Sequence, residues 1–344
     1  MQKTQKLISI IIVNLNGKHF LAECLTSVFK QTYSPFEIII VDNASVDGSV
    51  DFLLANFPQV KIVALKKNEG FAGGNNRGIE HAAGDLIVLL NNDTKVQAGW
   101  LVGLANAVSA DNVAVASSLI ITEGIPQKYY EYNGSINFLG HNIMRVFRTP
   151  EDIFFAGGAS LIFKKNILGV PFDDDYFAYA EDVYVSMRAR FLGYNVVHTN
   201  DSVVQHFGGG TTKKSNNNFI LFLQERNRLL NSVLFFSVST VVKLIPFFII
   251  NLAMKIVVSI FSKRYSVRAI LKAHLWFVTH VNDIRKKRFV IRSEQRVNEK
   301  EIIAVMSGKL FNGENIFEKI INTCSLVYCR IVRLNTIELF HRST

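Results

Sequence analysis

Between Leu7 and Leu90 the chain alternates between short apolar, β-branched runs and segments with helical spacing, and this alternation narrows the possible folds more than any other feature. Leu7–Val13 (LISIIIV), Phe36–Val41 (FEIIIV), Val60–Leu65 (VKIVAL) and Leu86–Leu90 (LIVLL) are the apolar runs. They are near-continuous, as strands covered on both faces require. His19–Lys30, Gly48–Asn56 and Gly74–Ala83 read as the helices between them. The order β-α-β-α-β-α-β predicts a Rossmann-like α/β sheet with helices on both faces. Ligands of such sheets bind outside the carboxyl ends of the strands. The polar clusters fall there: Asn14 and Asn16, Asp42 and Asn43, Asn68 to Asn76, and Asn91 to Asp93.

The stretch from Val113 to about Gly210 is less regular. Val113–Ile121 and Phe154–Phe163 read as strands, and Glu123–Pro150 as a long loop or hairpin. Asp173–Leu192 runs from an acidic loop into a helix, Asn195–His198 and Ser202–His206 read as two strands, and Gly208–Thr212 as a loop.

From residue 226 the chemistry changes. The net charge of +10 divides into −3 for residues 1–225 (18 basic, 21 acidic) and +13 for residues 226–344 (20 basic, 7 acidic). This predicts two regions with different physical jobs, a domain over 1–225 and a helical C-terminal region over 226–344. The basic region is also rich in Phe, Ile, Leu and Val, which points to an anionic membrane surface and away from nucleic acid. Leu244–Ser262 is the best window for a spanning helix, although Pro246 and Lys255 interrupt it; helices lying in the membrane plane fit as well. Arg285-Lys286-Lys287-Arg288 near Trp276 reads as a segment at the cytoplasmic face. Met1–Lys6 reads as a leader into the first strand, and Cys24, Cys324 and Cys329 as reduced thiols.

Several residues can carry chemistry. Asp42 ends a buried strand, where a carboxylate can accept hydrogen bonds from a ribose or a base, or cap the next helix. Gly70 opens a Gly/Asn stretch through Gly78, where backbone can approach a phosphate. Its spacing is not G-x-G-x-x-G, and neither a P-loop nor a G-x-S-x-G element is present. Asn91-Asn92-Asp93 suits Mg²⁺ or Mn²⁺ beside a diphosphate, or a plain turn. Glu181-Asp182 opens a helix, as the dipole alone would favour, but follows the aromatic Tyr176-Phe177-Ala178-Tyr179, so Asp182 can serve as a base beside a sugar. His206 ends a strand, where an imidazole can serve a metal, a phosphate or the fold.

SIIIVNLNG (Ser9–Gly17), VDNASVDGS (Val41–Ser49), NEGFAGGNNRGI (Asn68–Ile79), LLNNDT (Leu89–Thr94) and YAEDVYVSMRARFLGY (Tyr179–Tyr194) together resemble the family 2 inverting glycosyltransferases, in their rhamnosyltransferase-like branch. The resemblance covers about residues 7 to 230 and implies a GT-A fold with Val13, Asn14, Asn16, Asp42, Gly70, Asn76 and Asn91 around the nucleotide. It also implies a divalent cation on Asp93 and His206, with Asp182 as catalytic base. Asn91 stands where the family's first Asp would be, and Tyr184 where many members carry a further acid. The implied activity is inverting transfer from a UDP- or dTDP-linked sugar, rhamnose among the candidates, to a glycan or lipid-linked acceptor in cell-surface polysaccharide synthesis. Two other readings share the sheet: a sugar nucleotidyltransferase and a non-catalytic sugar-binding relative. The first calls for a longer basic loop than Asn14–Lys18, and the intact Asp93 and Asp182 weigh against the second.

Overall fold

The computed structural model describes residues 5–124, 134–143, 153–208, 218–262, 265–313 and 315–340. Most of the Glu123–Pro150 loop, most of the Gly208–Thr212 loop and the first residues of the leader lie outside them. The elements run β1 (Ile8–Asn14), α1 (Lys18–Val28), β2 (Phe36–Asp42), α2 (Ser49–Asn56), β3 (Lys61–Ala64), α3 (Gly70–Glu80), β4 (Leu86–Leu90), β5 (Thr94–Val96), α4 (Trp100–Ala107) and β6 (Val113–Thr122). They continue with β7 (Ser160–Lys164), α5 (Lys165–Leu168), α6 (Glu181–Phe191) and β8 (Asn195–His206). The rest is helical: α7 (Asn218–Phe235), α8 (Val238–Phe261), α9 (Val267–Thr279), α10 (Val281–Ser293), α11 (Glu299–Ala304), α12 (Ile316–Ile331) and α13 (Ile337–Phe340).

The strands form one eight-stranded sheet in the order β3-β2-β1-β4-β7-β6-β8-β5. β3, β2, β1 and β4 are parallel, while β7 runs antiparallel to both β4 and β6. The sheet is therefore mixed. Strand order reverses about β1, which opens a crevice at the carboxyl ends of β1, β2 and β4. Successive side chains of β1 feed opposite faces. Ile8, Ile10 and Ile12 join a core with α1 and α4, whereas Ile11 joins a core with α3 and the C-terminal helices.

The sequence reading of the first four strands agrees with these elements. Three readings are corrected. Residues 154–159 are irregular, and β7 begins only at Ser160. Asn195–His206 is one strand, taking up a register shift against β6 by a bulge. The boundary at 225/226 falls inside α7, and Leu234, Phe235, Leu244, Phe247, Ile284 and Ile302 share a core with Ile11 and Phe163 of the sheet. A change in charge therefore marks a change of surface here, because both halves of the chain bury apolar residues in one core.

Candidate active site

Asn14, the last residue of β1, ties three strand ends together. It is fully buried. Its Nδ2 donates to Asp42 Oδ1 and to Ser45 Oγ, both at 3.2 Å, and its Oδ1 accepts from Asn92 Nδ2 at 2.8 Å. The other Asp42 oxygen accepts from the Ser45 amide at 2.9 Å. Ser45 Oγ also accepts from the Asn16 amide, and Asn16 Oδ1 accepts from the Val46 amide at 2.8 Å. Asn16 sits at φ 52°, a conformation asparagine tolerates. Gly17 has no alternative: a Cβ there would lie 2.1 Å from Asn92 Nδ2 and 2.7 Å from Asn14 Oδ1. The result is a pre-set polar edge, with Asp42 keeping lone pairs beyond its two bonds.

Three of the residues expected at the nucleotide are used by the protein itself. Gly70 and the glycines after it belong to α3 and do not form a phosphate loop. A Cβ on Gly70 would meet the Phe177 carbonyl at 2.3 Å, and one on Gly74 would meet Val13 Cγ1 at 2.9 Å. These glycines let α3 lie close on β1 and on the segment after Phe172, and the Val13 side chain is part of that contact. Asn76 donates to Phe172 O at 2.9 Å and to Asp174 Oδ1 at 2.6 Å, and accepts from the Phe172 amide at 3.2 Å. Its amide thus fastens residues 172–174.

Past β4, the chain brings Asn91, Asp93 and His206 together. β5 pairs antiparallel with β8 and sets Thr94 opposite His206. Asp93 Oδ1 then lies 3.2 Å from His206 Nε2, and Asn91 Nδ2 lies 3.5 Å from the same nitrogen. The Phe207 amide, donating to Asp93 O at 3.0 Å, locks the corner. Among the described residues no three His, Cys, Asp or Glu side chains gather closely enough for a cage of protein ligands. One carboxylate and one imidazole are donors that could hold a divalent cation together with diphosphate oxygens and water.

Asp182 lies on the other side of the β4 end. The Asn91 amide donates to Ala159 O at 3.0 Å, and the amide of Gly158 donates to Asp182 Oδ2 at 3.3 Å. Two hydrogen bonds therefore link the Asn91–Asp93 turn to Asp182. A second tie runs from the Ala156 amide to Ser186 Oγ at 3.1 Å. Nothing in the sequence gave Gly158 this role; the glycine pair in FFAGGAS was the only signal. Burial raises the Asp182 carboxyl above its ordinary range. Burial, and then the neighbouring Asp182, pushes Glu181 up to about 8. Glu181 Oε2 is buried without a hydrogen-bond partner. The two acids hold less than two full negative charges near neutral pH.

A raised carboxyl pKa means that the folded state binds the proton more tightly than the unfolded one. Stability from Glu181 is thus complete below about 4.5 and declines as pH rises through about 8. The melting temperature is expected to fall from pH 5 to pH 8.5, and Glu181→Gln is expected to flatten that slope. An unchanged slope in thermal unfolding across this range would count against a protonated Glu181.

Residues 9–169 match the family model described as Glycosyl transferase family 2. Over that stretch, a little under half of its length, the chain is similar to the family 2 glycosyltransferases. Among curated relatives, the glycosyltransferase YwdF of Bacillus subtilis, itself uncharacterized, is 32% identical over 152 residues, or 41% of this chain and 54% of the relative. WfgD of Escherichia coli, a UDP-Glc:alpha-D-GlcNAc-diphosphoundecaprenol beta-1,3-glucosyltransferase, is 25% identical over 52% of this chain and 68% of its own. The chain spans about half the length of the curated relatives it matches. The crystal structure of GalNAc-T7 with UDP, GalNAc and Mn²⁺ superposes with a TM-score of 0.58 at 18% identity, over 68% of this chain and 48% of that one. At that identity the likeness speaks for the fold, which is GT-A. The polar edge of Asn14 and Asp42, the Asp93–His206 corner and Asp182 are each tied by hydrogen bonds to the residues that follow β4 or precede β7.

Proposed function

We infer that the protein is an inverting glycosyltransferase of cell-surface polysaccharide synthesis, with a UDP- or dTDP-linked sugar as donor and a hydroxyl of a glycan or lipid-linked acceptor as nucleophile. The observation that carries this reading is the hydrogen-bonded path from the Asn91–Asp93 turn through Ala159 and Gly158 to Asp182. It supports a reading in which a diphosphate corner and a base share one rim. Asn14, Asn16 and Asp42 form the nucleoside side of that rim. Asp93 and His206 would hold Mg²⁺ or Mn²⁺, which supplies charge stabilisation to the departing diphosphate. Asp182 takes the proton of the acceptor hydroxyl as its oxygen attacks the anomeric carbon from the face opposite the diphosphate, so the configuration inverts. Burial suits Asp182 to this work, since a raised pKa makes a stronger base. Inverting transfer needs one such carboxylate, in contrast to the pair used in glycoside hydrolysis.

The test is release of nucleoside diphosphate from a panel of UDP- and dTDP-sugars, with and without Mn²⁺ and with soluble glycan acceptors. Metal-dependent release accelerated by an acceptor is expected. Formation of a nucleotide sugar from a sugar phosphate and a nucleoside triphosphate would instead favour the nucleotidyltransferase reading.

The C-terminal helices support a seat on the cytoplasmic face of the membrane. α8 is long and apolar enough to cross a bilayer, the one such helix among the described residues. Its buried residues, however, are Thr240, Leu244, Phe247, Asn251 and Lys255, a single stripe in which three of the five are polar. Lys255 Nζ is paired with Glu225 Oε2 at 2.6 Å inside the protein. Ile249, Ile260 and Phe261 face outward, as do Leu275 and Val278 of α9 and Phe289 of α10. An apolar outer face over a polar inner one suits a helix lying flat in the interface, next to the basic residues of α9 and α10. The full chain is expected to float with anionic vesicles at low salt and to be released in part as salt rises. Equal flotation with neutral vesicles would remove the electrostatic contribution, and no flotation would remove the membrane seat.

A further inference from the structure

Residues 176–180, which lead into Asp182, have a backbone that rarely forms unaided. Phe177, Tyr179 and Ala180 all stand at positive φ, at 60°, 73° and 62°. Phe177, at ψ −65°, forms a γ-turn of the strained hand, closed by the Ala178 amide on Tyr176 O at 2.6 Å. Ala180, at ψ 11°, is left-handed where it starts α6. Non-glycine residues hold such conformations only where their surroundings over-determine them.

Those surroundings are the Ala72 amide of α3, which donates to Phe177 O at 3.0 Å, and three side chains of α7. Asn227 Nδ2 reaches Tyr176 O at 3.0 Å, Ala178 O at 2.9 Å and Tyr179 O at 2.7 Å. Asn231 Nδ2 donates to Ala180 O at 3.1 Å, and its Oδ1 accepts from Tyr176 Oη at 2.6 Å. Arg226 donates to the carbonyls of Asp175 and Tyr176. Its guanidinium lies 5.1 Å from the ring centroids of Phe222 and of Trp276 on α9. Asn227 is fully buried and has its amide hydrogens on this turn alone among the bonds it donates. The carbonyls of 175, 176, 178, 179 and 180 thus converge on α7, and the next residues are Glu181 and Asp182.

We propose that Asn227, supported by Arg226 and Asn231, is a positioning residue of the transfer reaction: it holds the strained turn 176–180 in the one shape that presents Asp182 to the acceptor. This rests on the reading of Asp182 as the base. Asn227 touches no reacting atom; it acts through the turn.

The test uses the full chain and the variants Asn227→Asp, Asn227→Ala, Asn227→Asp with Ala180→Gly, and Asp182→Asn. Asn227→Asp keeps the shape and sets a carboxylate against three carbonyls, while Ala180→Gly makes the left-handed entry to α6 easy. Amide exchange over residues 175–184 is expected to quicken about tenfold or more in Asn227→Asp, with α1 and β1 unchanged, and to be largely restored by Ala180→Gly. Release of diphosphate from UDP-glucose or dTDP-rhamnose with Mn²⁺ is expected to lose about tenfold or more in kcat at constant KM, and its pH profile is expected to shift on the acidic limb. Ala180→Gly should recover part of the rate. If Asn227→Asp fails to fold, Asn227→Ala, which adds no charge, carries the same expectations. Unchanged exchange overturns the proposal, as does faster exchange with full kcat per folded molecule and an unmoved pH profile. Normal turnover in Asp182→Asn overturns the base reading, and the positioning role with it, whatever the exchange shows.

Discussion

Asp182→Asn is expected to reduce sugar transfer by about 10²- to 10⁴-fold in kcat, the usual worth of a general base, while nucleotide binding stays as it was. The amide has nearly the shape of the carboxylate, and its oxygen can keep one of the two backbone bonds that Asp182 accepts, from the Val183 amide at 2.8 Å and the Gly158 amide at 3.3 Å. What disappears is the lone pair that receives the acceptor's proton. Rate and affinity should therefore separate. Turnover of the donor found in the panel, measured with and without acceptor, gives the rate; binding of UDP or dTDP with Mn²⁺ gives the affinity. A variant that keeps its rate to within about threefold would show that no base acts through this side chain. A variant that loses nucleotide affinity as well would place Asp182 among the donor contacts instead.

Asp93→Asn should have the complementary effect. A carboxylate next to an imidazole can hold a hard cation against two phosphates, and a neutral amide cannot match its charge. Loss of that anchor removes several kcal/mol of charge stabilisation, so kcat/KM is expected to drop about 10²- to 10³-fold or more. UDP or dTDP binding should lose its response to Mn²⁺. The fold should be kept, because the corner is also held by β5–β8 pairing and by the Phe207 amide on Asp93 O. His206→Asn is expected to act in the same direction with a smaller effect. Titration calorimetry of nucleotide with and without Mn²⁺ decides the matter: an undiminished metal response in Asp93→Asn would move the cation away from this corner.

Much of the sheet was legible because β1, β2 and β4 are buried on both faces and so read as unbroken apolar runs. Their polar ends were legible for the same reason, since a buried run that stops at Asn14, Asp42 or Asn91 marks an edge. What was not legible depends on contacts distant in sequence. Gly70 and Gly74 look like a phosphate loop, yet the space they leave is filled by Phe177 and Val13. Asn76 looks like a ligand residue, yet its partners are nearly a hundred residues away. β5 is only three residues long, too short to show a period, although it delivers His206 to Asp93. Phe154–Ala159 has strand composition but must bend so that Gly158 and Ala156 can meet α6. Charge and hydropathy located the change near residue 226 but could not show that α7 runs straight through it.

The arrangement of α8 has a practical consequence. Cutting the chain before this helix would take Lys255 from the Glu225 carboxylate, leaving it only the longer contact to Arg228, and would bare Leu234 and Phe235, which now lie wholly covered. A half-paired interior charge and a peeled core are costly defects, so a shortened protein should aggregate. A detergent-free preparation is better sought by exchanging outward residues such as Ile249, Ile260 and Phe261 for polar ones, leaving every helix in place.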